Sequence, residues 1–144
     1  MSNEVMAPSC IYTIKVLGDL HRAWLSEKAT SFRENTNWAT ARRLLEDAQA
    51  EHQILGILFG TAESIDCLRY AAILTHIDIA QAGDDKITTT YRFENLRQLS
   101  KPYRLPSLRL RSTGKPLSEN YIRPYAICHL PEFLPYELLG RTAG

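Results

Sequence analysis

The alternation of hydrophobic and polar positions divides the chain into a strand, two helical stretches and a series of strands. Ile11 to Leu17 is a short β-branched run that predicts the first strand. Gly18-Asp19 stops it, and Asp19 is placed to cap a helix from Leu20 to about Phe32. Leu20 and Trp24 share one face of that helix, so Trp24 is expected in the core. Glu34 to Asn37 is a turn cluster. Beyond it, Trp38, Ala41, Leu45 and Ala48 form an apolar stripe, while Arg42, Glu46 and Asp47 lie elsewhere. This predicts a second helix from near Trp38 to His52.

The rest reads mainly as strands. Gln53 to Gly60 is a compact apolar run, Thr61 to Asp66 a loop, and Cys67 to Ile79 a second apolar run. Ala82 to Asp85 turns the chain into the alternating, threonine-rich strand Lys86 to Phe93. Asn95 to Leu99 suggests a short helical turn. Leu105 to Leu110 suggests an edge strand, since Pro106 is tolerated only at an edge. Gly114 to Pro116 is a turn, Tyr121 to His129 a last strand, and Pro131 to Leu139 a closing segment. This order predicts an α+β fold: a small mixed sheet curled into a barrel, which removes its edges, with two or three helices outside. The length of 144 residues suits one domain over residues 1–144, with residues 1–8 a flexible N-terminus.

Composition narrows the class. Hydrophobic residues make up 44% and charged residues 23%, which excludes a disordered tail, a collagen-like repeat or a coiled coil. No apolar run reaches the roughly 20 residues that span a bilayer, and the start has no signal-peptide pattern. A cytoplasmic protein without a membrane partner is expected. Cys10, Cys67 and Cys128 are an odd set with no close pair, which argues against a disulfide framework or a four-cysteine zinc site.

The net charge of +1 conceals an asymmetry. Residues 1–90 carry 8 basic and 12 acidic side chains, whereas residues 91–144 carry 9 and 4. The densest stretch, 92–123, contains Arg104, Arg109, Arg111, Lys115 and Arg123, with tyrosines interleaved. Such a face suits a phosphate backbone, and equally a solvated surface balanced by the acidic part.

Familiar catalytic and cofactor patterns are missing. The chain has no dinucleotide-binding glycine motif, P-loop or zincin motif, and its four histidines lack metal-ligand spacing, so no cofactor or metal is expected. Cys128 and His129 would face opposite sides of a strand. Asp84-Asp85 reads as turn chemistry. Trp38 alone suits a core position or a ligand platform equally: it opens a helix, where backbone N–H groups are free and an indole can stack on a base.

Three stretches together resemble the PUA-like superfamily, particularly its YTH and EVE branches. They are Asn37 to Leu44, a tryptophan followed by a helix; Ile57 to Ser64 with Tyr70 to Leu74, a hairpin ending in an alanine-rich strand; and Tyr91 to Leu96 through to Lys115-Pro116. The EVE-type Gly-Val-Arg-Asn and a second cage tryptophan downstream are absent. The resemblance implies a nucleic-acid-binding module that holds a modified or flipped base from DNA or RNA. It implies Trp38 as stacking platform, Asn37 and Thr40 as edge readers, Phe59, Gly60 and Thr61 as pocket wall, and Ser64 beside them. Lys115 and Arg123 would contact phosphate, within a strand-binding face that also carries Arg104, Arg109 and Arg111. Two alternatives stand beside it. One is a small nucleoside or nucleic-acid hydrolase of ASCH type, whose residue types occur at Lys28, Thr30 and Glu63 without the motif. The other is a protein-interaction or regulatory domain using the barrel as scaffold.

Overall fold

The computed structural model describes residues 4–26, 31–81, 83, 86–118 and 123–140. The order is β1 (Val5–Lys15), α1 (Leu17–Leu25), β2 (Ser31–Glu34), α2 (Ala39–Ala50), β3 (Gln53–Thr61), β4 (Ser64–Gln81), β5 (Ile87–Arg104), a 3₁₀ turn (Leu105–Ser107), β6 (Ala126–His129) and α3 (Phe133–Leu139). The fold is α+β, with a six-stranded mixed sheet in the order β2-β5-β4-β3-β1-β6. Only β1 and β3 run parallel, joined through α1, β2 and α2. β2 and β6 end the ladder and do not pair with each other, so hydrogen bonding does not close the sheet into the expected barrel.

Several local expectations need correction. Residues 5–8 are not a loose tail: they begin β1, where Val5 and Met6 pair with Gln53 and Ile54. Burial of Met6 and Ala7 holds them there. The first helix starts at Leu17, after Val16, so Asp19 lies in its first turn and binds Arg22 instead of capping. It does not reach Phe32, because Ser31–Glu34 pairs with Thr89–Arg92 and packs the half-buried Phe32 against Phe59, Tyr91 and Phe93. Trp24 is 38% exposed, with its ring against the edge of Tyr70. Leu20 and Ala23 make the buried face of α1.

Asn95 to Leu99 is strand, not helix. Ile73 pairs with Glu94 and Ala71 with Arg97, so Asn95 and Leu96 together stand opposite Ala72. Asn95 takes the left-handed conformation (φ 56°), a geometry asparagine tolerates, and its Nδ2 donates to the Leu138 carbonyl at 3.1 Å. The expected edge strand from Leu105 is a 3₁₀ turn, with Pro106 in its first positions. Only the following residues extend the sheet: Arg111 N–H donates to the Ile127 carbonyl and His129 N–H to the Arg109 carbonyl.

Both faces of the sheet are covered. On one, Leu20 of α1 and Ala41, Leu45 and Ala48 of α2 pack with Trp38 on Ile57, Phe59, Tyr91 and Phe93. On the other, Leu134 and Leu138 of α3 and the chain around Leu105, Leu108 and Leu117 pack on Cys10, Tyr12, Leu58 and Ile73. Glu137 anchors α3. Its carboxylate accepts from Ser100 N–H, Ser100 Oγ and Tyr103 Oη, at 3.1, 2.6 and 2.8 Å. Burial would raise this carboxyl, but these donors and the Arg97 charge outweigh it and hold Glu137 below the usual carboxylate range.

Cys10, Cys67 and Cys128 are free thiols. Cys10 and Cys128 stand opposite each other on β1 and β6, both fully buried. Burial pushes the Cys10 thiol well up and the Cys128 thiol to about 12, so both are poor nucleophiles. Among the described residues no helix is long and apolar enough to cross a membrane, and no cluster of three His, Cys, Asp or Glu could hold a metal ion.

Candidate functional site

Trp38 precedes α2, but its indole is not a platform. The residue is fully buried. One ring neighbour is Tyr91, stacked at 4.5 Å and 15°, and another is Tyr125, tilted at 4.7 Å and 41°. The indole Nε1 donates to Thr36 Oγ1 at 3.1 Å, and the Trp38 backbone N–H to Thr89 Oγ1 at 3.3 Å. Thr89 Oγ1 in turn donates to the Thr36 carbonyl. With its ring enclosed and its donors used, Trp38 is a core residue, and the stacking role expected of it is corrected. Tyr91 is fully buried as well: burial first, then the charge and hydrogen bond of Glu34, push its hydroxyl far above the usual range.

The expected pocket wall fails for the same reason. Phe59 and Thr61 are fully buried on β3. Phe59 lies edge-on to Phe32 and Phe93, and Thr61 Oγ1 turns toward the Ser64 carbonyl. Gly60 is pressed against Tyr12, and a Cβ there would come within 3.1 Å of three atoms of that phenol. Ser64 is half-buried where the hairpin turns. Glu63, beside it, accepts the Leu17 N–H at 3.0 Å. Lys28 and Thr30 lie outside the described residues.

Asn37 and Thr40 behave differently. Both are exposed at the start of α2 and line an open cavity of about 750 Å³. Its other walls include Arg111, Arg123, Tyr125 and Ile127. Asn37 Oδ1 accepts the Ala39 N–H at 3.0 Å, which leaves its amide nitrogen without a partner among the described residues. Tyr125 Oη accepts the Ala41 N–H at 3.2 Å, a side chain from the far end of the chain satisfying an orphan donor of the helix. Trp38 thus supports Tyr125 from within, and Tyr125 carries part of the cavity wall. Sequence reasoning missed Tyr125 as a site residue. Its only signal was an aromatic two residues beyond the basic stretch.

Arg111 comes from a hairpin. Leu110 N–H donates to the Lys115 carbonyl, Leu117 N–H to the Leu108 carbonyl and Gly114 N–H to the Leu110 carbonyl. Gly114 takes the positive φ (73°) that closes the turn. Arg109, Arg111 and Lys115 all project from this hairpin into solvent. Arg123 and Arg104 are exposed as well, but Arg104 borders a separate cavity beside Asp66. Among the described residues the ion pairs are Lys15–Glu34 and Arg22–Asp19, so none of these five cations is neutralised by a carboxylate. Of the basic stretch, Arg111 and Arg123 therefore stand at the first cavity, beside Tyr125 and the polar Asn37 and Thr40. No family model matches the chain, and a comparison with curated proteins finds no match.

Proposed function

We propose that this protein binds nucleic acid at the cavity between the start of α2 and the arm carrying Arg111, Arg123 and Tyr125. The single observation that carries this reading is the pairing of that cavity with two exposed arginines that form no ion pair with a carboxylate among the described residues. Unpaired cations attract phosphate and release its counterions on contact. The Tyr125 ring offers a base a surface on which to stack, worth about 1–3 kcal/mol. Asn37 Nδ2 and the Thr40 hydroxyl supply polar groups for the edge of a base, modified or not. A base reaches such a cavity only when it is unpaired or flipped from its stack. The PUA-like reading of the scaffold belongs to this proposal and rests on the order of its sequence segments.

The test is titration of single-stranded oligonucleotides, with and without modified bases, at two salt concentrations. Wild-type binding should weaken steeply with salt. The double change Arg111→Ala with Arg123→Ala should lower affinity at least about tenfold while leaving the fold intact. Absence of binding, or binding indifferent to both changes, overturns the proposal.

A further inference from the structure

The alternation of β6 carries the basic surface beyond this first cavity. Ala126 and Cys128 are buried against the α3 side of the sheet, so Tyr125, Ile127 and His129 point to the opposite face. The segment 109–111 runs antiparallel beside them. Leu110 pairs with Cys128, and the flanking bonds are Arg111 N–H to the Ile127 carbonyl at 3.0 Å and His129 N–H to the Arg109 carbonyl at 2.9 Å. Arg111 therefore stands beside Ile127, and Arg109 beside His129, all on one face. Arg111 lines the first cavity, whereas Arg109 and His129 line a second one of about 440 Å³. The two arginines are two strand residues apart, roughly 6.7 Å.

We infer that this strip is a track for an unpaired nucleic acid strand of at least two nucleotides, with one base in each cavity and Arg111 and Arg109 on neighbouring phosphates. The inference rests on the nucleic-acid reading of the first cavity and adds the length and course of the ligand. An extended single strand repeats its phosphates at a spacing similar to that of the two arginines, and a positive groove with aromatic stops is how such strands are held. In the second cavity the exposed His129 imidazole is the ring on which a base can stack. Glu132 lines the same cavity, so its interior repels phosphate and favours a base, while Arg109 takes the phosphate at the rim.

The experiment is a length series: a nucleoside 5′-monophosphate, then unpaired oligonucleotides of two, four and eight residues, and a blunt duplex. Each is titrated against the wild type, Arg109→Ala, His129→Ala and Arg111→Ala. His129→Ala is included because Arg109 Nη1 also donates to the Gly114 carbonyl, and loss of that bond could disturb the hairpin. Wild-type affinity should rise about tenfold from monophosphate to the short oligonucleotides, the value of one added stacked base, and the duplex should bind less well than the four-residue strand. Arg109→Ala and His129→Ala should abolish that gain and leave monophosphate binding unchanged, whereas Arg111→Ala should weaken every length. Equal affinity for monophosphate and oligonucleotide overturns the track but leaves the first cavity as a nucleotide site. An acidic peptide that binds as well as the four-residue strand overturns it in favour of a protein partner. If no nucleotide of any length binds, the nucleic-acid reading itself fails.

Discussion

The aromatic centre around Trp38 and the positive strip beside it are neighbours with opposite characters. In the first, Trp38 and Tyr91 are fully enclosed, and Trp38's hydrogen-bond donors are used. In the second, Arg109, Arg111 and Arg123 are exposed and form no ion pair among the described residues. The difference teaches that the most conspicuous side chain near a cavity need not be the one that lines it. Trp38 serves the strip indirectly, by fixing Tyr125 and the start of α2.

The comparison breaks first at Trp38. Trp38→Ala empties the space between Tyr91 and Tyr125 and should cost about 3–5 kcal/mol of stability, seen in chemical denaturation. A loss below about 1 kcal/mol would mean that the indole is not the core element its burial describes.

A buried charge sharpens the contrast next. Glu137→Gln weakens the carboxylate's bonds with Ser100 and Tyr103 and should cost about 2 kcal/mol. The native carboxyl lies below its unfolded value of about 4.3, so its contribution is present above that pH and disappears as pH falls through the native value. Wild type and variant should therefore converge in stability only in acid. Convergence near neutral pH would contradict the sign of the shift.

The smallest stability effect belongs to the strip. Arg111→Ala and Arg123→Ala should each change stability by no more than about 0.5 kcal/mol. In salt titrations of oligonucleotide binding, each should lower the logarithmic slope by about one, as one phosphate contact is lost. A large drop in melting temperature for either would place these side chains with the core.

Much of the scaffold was legible in the chain. The stripe of Ala41, Leu45 and Ala48 marked α2, and all three are buried. The apolar run from Gln53 marked β3, and the alternation before Phe93 marked the first part of β5. The extent of β4 and β5 was less visible. β5 continues past Phe93 through residues whose polarity suggested a turn, because Asn95 absorbs an extra residue in a bulge without ending the ladder. β2 was hidden for a related reason: four residues carry too little periodicity to announce a strand, and pairing with β5 decides it. At the site, Asn37, Thr40, Arg111 and Arg123 were legible as polar or basic residues near helix and turn signals. Tyr125 was not, since its role depends on a hydrogen bond to Ala41 across most of the chain.

The sequence by itself determined the class of the fold, the helical stripe of α2 and the concentration of positive charge in the last third. These follow from local periodicity and composition, which act over a few residues. Only the tertiary structure decided that Trp38 turns inward, that the sheet stays open, and that Arg109 and Arg111 share a face with Tyr125 and His129. Those outcomes depend on which distant segment packs over a side chain or pairs with a strand edge. Burial is a property of that whole arrangement, and no short stretch of sequence contains it.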